Sequence, residues 1–297
     1  MLICLNGGLG NQIGNYILAK FLQEFEEYGQ DVKLICSNKA NEARAIVLDK
    51  FNTELNIATK EDIEKFLSAK TYPVLIFDFL FKNIFDKIWI NNLWTFLKSI
   101  RKDYNIYPKK TLVFLSKITT YKDALKHGYG NVAVCDCYAP IKEFYNQDFR
   151  EKMKEHFTLK EELDEKNSEV LEKIRACKNS VGVHIRRGDY ISFKIPVIKK
   201  EFILEKMKII KEEFPNAKFF IFSNGMDWAK EHFRDIHNIE FVDINDEKHG
   251  YLDFVLFNAC RHRIYSNSTF SIWTRYFNQH KESMEFYPET KDLILEC

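Results

Sequence analysis

The sequence predicts an α/β protein made of two domains that face a cleft. Its length of 297 residues suits two ordinary domains, since domains commonly run to about 100–200 residues each. Stretches in which apolar residues recur at every second position alternate with stretches of helical period, most regularly after Ser180. Strands and helices that alternate in this way form parallel sheets covered by helices, so each half is expected to be Rossmann-like.

The composition indicates a globular protein without a strong overall charge. Hydrophobic residues make up 45% of the chain, enough for a large core. Lys and Arg total 44 against 43 for Asp and Glu, so nucleic acid is not an expected partner and an anion would have to bind in a local pocket. Seven scattered cysteines, no basic apolar leader and no run of about 18 apolar residues predict a cytoplasmic protein with reduced thiols.

The chain opens with a predicted β-loop-α unit. Residues 2–5 form the strand, and residues 6–12, NGGLGNQ, form the loop. The helix that follows has an apolar face of Ile13, Ile17, Phe21, Leu22 and Phe25, and residues 31–36 form the next strand. Glycines at such a junction let backbone N–H groups approach an anion. A dinucleotide fingerprint would need glycine where Ile13 stands, which disfavours an NAD enzyme; glycines that only permit a tight turn remain the alternative.

The middle of the chain carries weaker signals. We predict a strand at 131–138, a helical pattern that starts at Pro140, and a charged helix at 160–178 that connects the two domains. The boundary is placed at residue 165, giving domains 1–165 and 166–297. The basic, aromatic stretch 82–98 is interpreted as a buried helix, with peripheral contact with the inner face of a membrane as the alternative.

From Ser180 the alternation is regular enough to assign. The predicted strands are 181–185, 218–222, 239–244 and 263–265, and the predicted helices are 200–214, 226–233, 250–262 and one that contains Trp273 and Tyr276. In parallel sheets of this kind, ligands bind beyond the carboxyl ends of the strands. The loops that follow three of these strands are therefore expected to converge on one site.

Polar residues cluster in those loops. The strand at 181–185 leads into Arg186 and Arg187, whose planar guanidinium groups suit a phosphate; a solvated surface ion pair is the alternative. A second loop, Ser223-Asn224-Gly225, follows the next strand. The loop at 267–271 enters a helix, where Ser268 or Thr269 suits an N-cap and the same groups suit a diphosphate.

Four segments together resemble the α-1,2-fucosyltransferases of glycosyltransferase family 11. They are GGLGNQ at 7–12, HIRRGDY at 184–190, SNGMDW at 223–228 and NSTFSIW at 267–273. The resemblance implies a GT-B type fold and GDP-fucose as the donor. It also implies inversion at the anomeric carbon and transfer to O2 of a terminal β-galactose of an oligosaccharide.

The resemblance also implies roles for individual residues of the second domain. Arg186 would hold the β-phosphate and His184 would sit by the nucleotide, so these two are the expected catalytic residues. Arg187 and Asp189 would brace the loop, and Asn224 would face the guanine.

Two further groups complete the expected donor site. Ser268, Thr269 and Phe270 would line the diphosphate and the ribose. Asn11 and the neighbouring Gly8 would reach across from the first domain. The general base for the acceptor hydroxyl is not assigned; its candidates include Asp136 and Glu143.

The chemistry of glycosyl transfer is consistent with these roles. Charge builds on a departing diphosphate, and preorganised donors aimed at it supply much of the catalysis. Arg186 can do this without a metal, and no Asp-x-Asp pair of the kind that holds Mg²⁺ or Mn²⁺ occurs in the chain. We therefore expect no metal and no cofactor. The alternatives are a related inverting transferase with another nucleotide sugar or linkage, and a non-catalytic module that binds glycans or nucleotides.

Overall fold

The structure is a computed structural model. It describes residues 2–5, 7–24, 32–36, 45–68, 74–78, 112–116, 132–135, 142–278, 280 and 282–296. Two compact units are present, Met1–Lys160 and Glu161–Cys297, and they divide slightly before the predicted boundary at residue 165. The stretch 82–98 and the predicted base Asp136 lie outside the described residues, as does the side chain of Glu143.

The first unit contains a parallel five-stranded sheet in the order β2-β1-β5-β3-β4. Its strands are β1 (Leu2–Leu5), β2 (Lys33–Cys36), β3 (Val74–Asp78), β4 (Leu112–Ser116) and β5 (Val132–Cys135). The described helices are α1 (Leu9–Glu24), α2 (Lys60–Ser68) and α3 (Gln147–His156). The predicted strands 2–5, 31–36 and 131–138 correspond to β1, β2 and β5. Strand β2 begins at Lys33, after the described Val32, and the other residues predicted for β5 lie outside the described ranges.

Helix α1 begins earlier than the glycine pattern indicated. Residues 9–12, predicted as loop, form its first turn because the carbonyl of Gly8 accepts the backbone N–H groups of Asn11 (3.0 Å) and Gln12 (3.2 Å). The chain turns from β1 at Gly7, whose φ of 68° favours glycine. The apolar face was predicted correctly as far as Leu22, while Phe25 lies outside the described residues.

The helical pattern after Pro140 is two elements. A short 3₁₀ turn, Lys142–Tyr145, precedes α3. Asn146 separates them because its side chain accepts the N–H of Phe149 at 3.0 Å and so caps the new helix. Phe144, Phe149 and Phe157 are all buried, so the periodicity identified the packed face but not the break.

The second unit repeats the architecture around a parallel sheet in the order β11-β10-β6-β8-β9. Its strands are β6 (Ser180–Ile185), β7 (Val197–Ile198), β8 (Lys218–Ser223), β9 (Ile239–Phe241), β10 (His262–Ile264), β11 (Glu285–Phe286) and β12 (Leu293–Ile294). Its helices are α4 (Glu165–Ala176), α5 (Gly188–Ser192), α6 (Lys200–Glu213), α7 (Met226–Phe233), α8 (Gly250–Ala259) and α9 (Thr269–Tyr276). The short strands β7 and β12 pair antiparallel outside the main sheet.

Several boundaries in this unit differ from the prediction. The charged helix predicted at 160–178 is α4, Glu165–Ala176. Helix α8 ends at Ala259 because Cys260 is extended (φ −67°, ψ 139°), and His262 already belongs to β10. Strand β9 ends at Phe241, three residues early. The segment after Arg187, predicted as loop, contains the single helical turn α5, closed by the N–H of Ile191 on the carbonyl of Arg187 at 2.8 Å.

Strand β6 lies at the centre of the second sheet and is buried along its whole length. Val181, Val183 and Ile185 pack into the apolar cluster on one face. Gly182 lies on the other face, where a Cβ would stand 2.9 Å from the ring of Phe257, so glycine lets α8 approach the sheet closely. His184 shares that face, and period two thus sends one polar ring toward α8.

The prediction of an α/β fold with mostly parallel sheets is confirmed. The arrangement in which two domains face a cleft stays a prediction. Among the described ranges, no helix is long and apolar enough to cross a membrane.

Candidate functional site

Three loops meet at the carboxyl edge of the second sheet because β6, β8 and β10 are parallel neighbours. In register, Ile185 pairs with Ser223 and Val183 pairs with Ile264. Each strand therefore ends close to the next, and the polar residues that follow them come together. This is the edge at which open α/β sheets bind ligands.

His184 is held by serine hydroxyls. Its Nδ1 lies 2.8 Å from Oγ of Ser266, 2.9 Å from Oγ of Ser271 and 3.4 Å from Oγ of Ser268. The imidazole stacks on the ring of Phe270, with centroids 4.4 Å apart. Burial, with a smaller contribution from the Arg186 charge, lowers the pKa of His184 to about 3. The ring is therefore neutral near pH 7 and is a poor proton acceptor.

The two adjacent arginines have different environments. Nη2 of Arg186 lies 2.7 Å from Oδ2 of Asp189, and the Arg186 side chain is 26% exposed. The Arg187 side chain is only 9% exposed: it binds both carboxylate oxygens of Glu296 and lies over the ring of Trp228 at 3.9 Å. Arg187 is thus occupied by the protein, while Arg186 has access to solvent at the strand end.

Arg187 and Asp189, the two residues predicted to brace the loop, have different charged partners. Asp189 pairs with Arg186, and Arg187 pairs with Glu296. The reason is local geometry: Asp189 lies in the first turn of α5, three residues after Arg186, so the two side chains reach each other along the chain.

Asn224 ties the loop after β8 to the loop after β6. Its Oδ1 accepts the backbone N–H groups of Arg187 (2.8 Å) and Gly188 (3.2 Å), and its Nδ2 donates to Oδ1 of Asp189 at 3.2 Å. A Cβ on Gly188 would stand 2.8 Å from that Nδ2, so the loops approach closely only because residue 188 is glycine. The amide holds the loop that carries Arg186, and its predicted contact with guanine stays a prediction.

The start of helix α9 forms the third part of the edge. Ser268 is the N-cap, since its side chain accepts the N–H of Ser271 at 3.2 Å, which confirms the capping interpretation. Thr269 and Phe270 follow in the first turn and are half-buried. A helix N-terminus carries partial positive charge. The predicted residues 184, 186, 189, 224 and 268–270 therefore lie at or just beyond the carboxyl ends of neighbouring strands of one unit.

Gly8 and Asn11 belong to the first unit, at the carboxyl end of β1. Gly8 is exposed, and a Cβ there would meet nothing within 4 Å. Gln12 in the same motif is buried and spans the loops: its Nε2 donates to the carbonyls of Gly7 and Ala45, both at 3.0 Å, and its Oε1 accepts the N–H of Val47 at 3.1 Å. The glutamine of GGLGNQ thus serves the fold of this unit.

The sequence did not identify several residues that build the site. Ser266 precedes the motif at 267–273, Ser271 lies inside it, and Trp228 is the last residue of the motif at 223–228, so each carried a weak signal. Glu296 carried none, because it meets Arg187 across 109 residues of chain. Within the described ranges, no group of three or more His, Cys, Asp or Glu side chains could hold a metal ion; metal independence stays a prediction.

Comparison with known proteins agrees with the four motifs. The model of glycosyl transferase family 11 matches residues 120–291, more than half of the chain. The chain is 32% identical over 142 residues to an alpha-1,2-colitosyltransferase of Escherichia coli (44% of this chain, 47% of that protein). It is 30% identical over 149 residues to galactoside alpha-(1,2)-fucosyltransferase 1 of Saimiri boliviensis boliviensis (46% of this chain, 41% of that protein). The matched segments span less than half the length of these relatives.

The fold comparison extends over the whole chain. The fucosyltransferase NodZ from Bradyrhizobium superposes with a TM-score of 0.51 at 14% identity, covering 100% of this chain and 99% of that one. This likeness bears on the fold alone. Because the family model covers more than half of the sequence and includes the loops after β6, β8 and β10, the chain belongs to glycosyl transferase family 11.

Proposed function

We propose that the protein is an inverting, metal-independent glycosyltransferase that moves L-fucose from GDP-fucose to O2 of a terminal β-galactose on an oligosaccharide. The observation that carries the proposal is the difference in pairing and exposure between the adjacent arginines. Arg187 is committed to Glu296, whereas Arg186 is partly exposed at the carboxyl edge of a parallel sheet, in a chain of this family.

The donor is proposed from the relatives and from the chemistry of the edge. Relatives are named as α-1,2-fucosyltransferases, and NodZ has been co-crystallised with GDP. A nucleoside diphosphate is recognised by fixed donors and by the N-terminus of a helix. Arg186 and the first turn of α9, from Ser268 to Phe270, offer both.

Arg186 would act on the leaving group. As the bond between the sugar and the β-phosphate oxygen breaks, negative charge grows on the diphosphate and the sugar becomes oxocarbenium-like. A guanidinium already in place stabilises that charge without reorganisation. Asp189 keeps Arg186 oriented through the 2.7 Å contact, so no metal ion is required for this step.

His184 is proposed as a neutral support and not as the base. Its low pKa of about 3 means that near pH 7 the ring lacks the second proton of an imidazolium and accepts one only weakly. With Nδ1 facing three serine hydroxyls, the ring is fixed beside Phe270, where it can contact the nucleotide. The base that takes the proton of the acceptor hydroxyl is sought in the first unit, with Asp136 and Glu143 as candidates.

The test is isothermal titration with GDP, GDP-fucose and UDP in EDTA. Arg186→Ala is compared with wild type and with Arg261→Ala, a matched control whose arginine also pairs with a carboxylate and is similarly exposed (29%). Charge-assisted hydrogen bonds contribute about 1.5–3 kcal/mol each, so Arg186→Ala should weaken GDP binding by about a hundredfold, and Arg261→Ala should leave it unchanged. The proposal is contradicted if wild type does not bind GDP, or if it binds GDP only when a divalent ion is present.

A second donor sugar is favoured by one comparison. The E. coli relative is named as a colitosyltransferase, with identity equal to that of the fucosyltransferases within a few per cent. Turnover of GDP-fucose and of other GDP-sugars, followed as donor hydrolysis and as transfer to galactosides, separates these two activities. Faster transfer from another GDP-sugar would assign the protein to that donor.

A further inference from the structure

We propose that Glu296 is a positioning residue of the donor site. By holding the guanidinium of Arg187, it fixes the loop from which Arg186 extends. The effect on donor binding rests on the function proposed above, while the effect on the loop does not.

Glu296 and Trp228 hold the side chain of Arg187. Nη1 lies 3.0 Å from Oε1 of Glu296, and Nη2 contacts Oε2, which is a bidentate pair. The guanidinium also stacks on Trp228 at 3.9 Å, and the same indole stacks on His232 at 4.3 Å. Arg187 binding also lowers the pKa of the Glu296 carboxyl, so the carboxyl is ionised near neutral pH.

The other end of Arg187 is fixed as well. Its backbone N–H donates to Asn224 at 2.8 Å, and the Cβ position of Gly225 lies only 3.1 Å from the Arg187 side chain. A residue held at both backbone and side chain also fixes its neighbour, and that neighbour is Arg186. Removing the carboxylate would leave a charged group that is 9% exposed without its counter-charge, which favours a rearranged loop.

Glu296 is itself held close to the site by the sheet formed by β7 and β12. Leu293 pairs with Ile198 in that sheet, so Glu296 follows the paired strand by two residues. The residues that precede β7 are also hydrogen-bonded to the other loops of the site. The carbonyl of Pro196 accepts Nδ2 of Asn267 at 2.9 Å, and Ile195 donates its N–H to the carbonyl of Tyr190 at 2.8 Å.

Arg187, Glu296, Trp228 and Asn224 therefore form a frame around the loop that carries Arg186. These residues come from segments far apart in sequence, and Glu296 supplies the negative charge that pairs with Arg187. Because Glu296 pairs with Arg187, its expected effect on the donor site is exerted through the arrangement of Arg186. Supports of this kind determine how well a binding side chain is preorganised.

The first measurement needs no ligand. Backbone hydrogen exchange is followed by mass spectrometry in wild type, Glu296→Gln and the control Glu282→Gln, which removes the exposed partner of Arg261. We expect the peptide covering 186–193 to exchange about tenfold faster in Glu296→Gln and at the wild-type rate in the control. Unchanged exchange in Glu296→Gln overturns the proposal whatever the protein binds.

The second measurement is GDP affinity in a double-mutant cycle. Glu296→Gln should weaken binding about tenfold, comparable with supporting contacts behind metal ligands. Arg187→Met with Glu296→Gln should bind no more weakly than Arg187→Met alone, because both changes act through one pair. Additive losses overturn the proposal, as does a lower stoichiometry at unchanged Kd, which means that Glu296 serves only general stability. If wild type binds no GDP, the proposed function fails and hydrogen exchange alone decides the role of Glu296.

Discussion

His184 and Ser266 are joined by a 2.8 Å contact between Nδ1 and Oγ although 82 residues separate them in the chain. The contact is possible because β6 and β10 are adjacent parallel strands. It places a histidine among hydroxyl groups in the interior, where a charged ring would lose its hydration without gaining a carboxylate. The neutral state of His184 follows from this relationship.

We predict that His184 makes stability sensitive to acid. Its pKa is about 3 when folded and about 6.5 when unfolded, so between these values the unfolded chain binds the extra proton. Stability due to a neutral His184 is therefore complete above about pH 6.5 and is lost as pH falls toward 3, by about 1.4 kcal/mol per unit.

The check is urea unfolding of wild type and His184→Gln at several pH values from 7 to 4. The free energy of unfolding should fall less steeply with decreasing pH in the variant, because its unfolding takes up close to one proton fewer. Parallel curves would show that His184 is already charged in the folded protein.

We predict that Gly182→Ala destabilises the second unit. The added methyl would stand 2.9 Å from the ring of Phe257, and overpacking of this kind costs about 1–3 kcal/mol. Gly250→Ala is the control, since nothing lies within 4 Å of its Cβ position. Denaturant midpoints measure both variants. A normal midpoint for Gly182→Ala would mean that α8 moves away from β6 without cost.

Alanine substitutions at the neighbouring Gly7 and Gly8 should have different effects on the stability of the first unit. Gly7 has φ 68° and its Cβ position lies 2.6 Å from Nδ2 of Asn11, so Gly7→Ala should cost about 1–3 kcal/mol of stability. Gly8 has open space at its Cβ position, and Gly8→Ala should unfold as wild type does.

The predicted role of Gly8 in donor binding is then read from kinetics. If backbone at Gly8 approaches the donor, Gly8→Ala should raise KM for GDP-fucose several-fold while the unfolding midpoint stays constant. An unchanged KM would remove Gly8 from the donor site and leave the glycine as a feature of the turn.

The carboxyl edge of the second sheet was predictable because its signals are local. Period-two apolar residues assigned β6 and a short apolar run assigned β8, and the polar residues that follow them remain next to those strands in any parallel sheet. Boundaries were less predictable where a hydrogen bond decided them. The carbonyl of Gly8 starts α1 early, and the side chain of Asn146 interrupts the pattern that leads into α3.

The sequence by itself determined the α/β class, the order of the elements in the second unit and the cluster of polar residues at its strand ends, because each follows from periodicity and from turn residues close in the chain. The tertiary structure alone decided which arginine is available. Arg186 and Arg187 are chemically identical neighbours, and they differ because Glu296 and Trp228 bury one of them. Long-range pairing of charges leaves no periodic trace in a sequence, since it depends on where the sheet brings distant segments together.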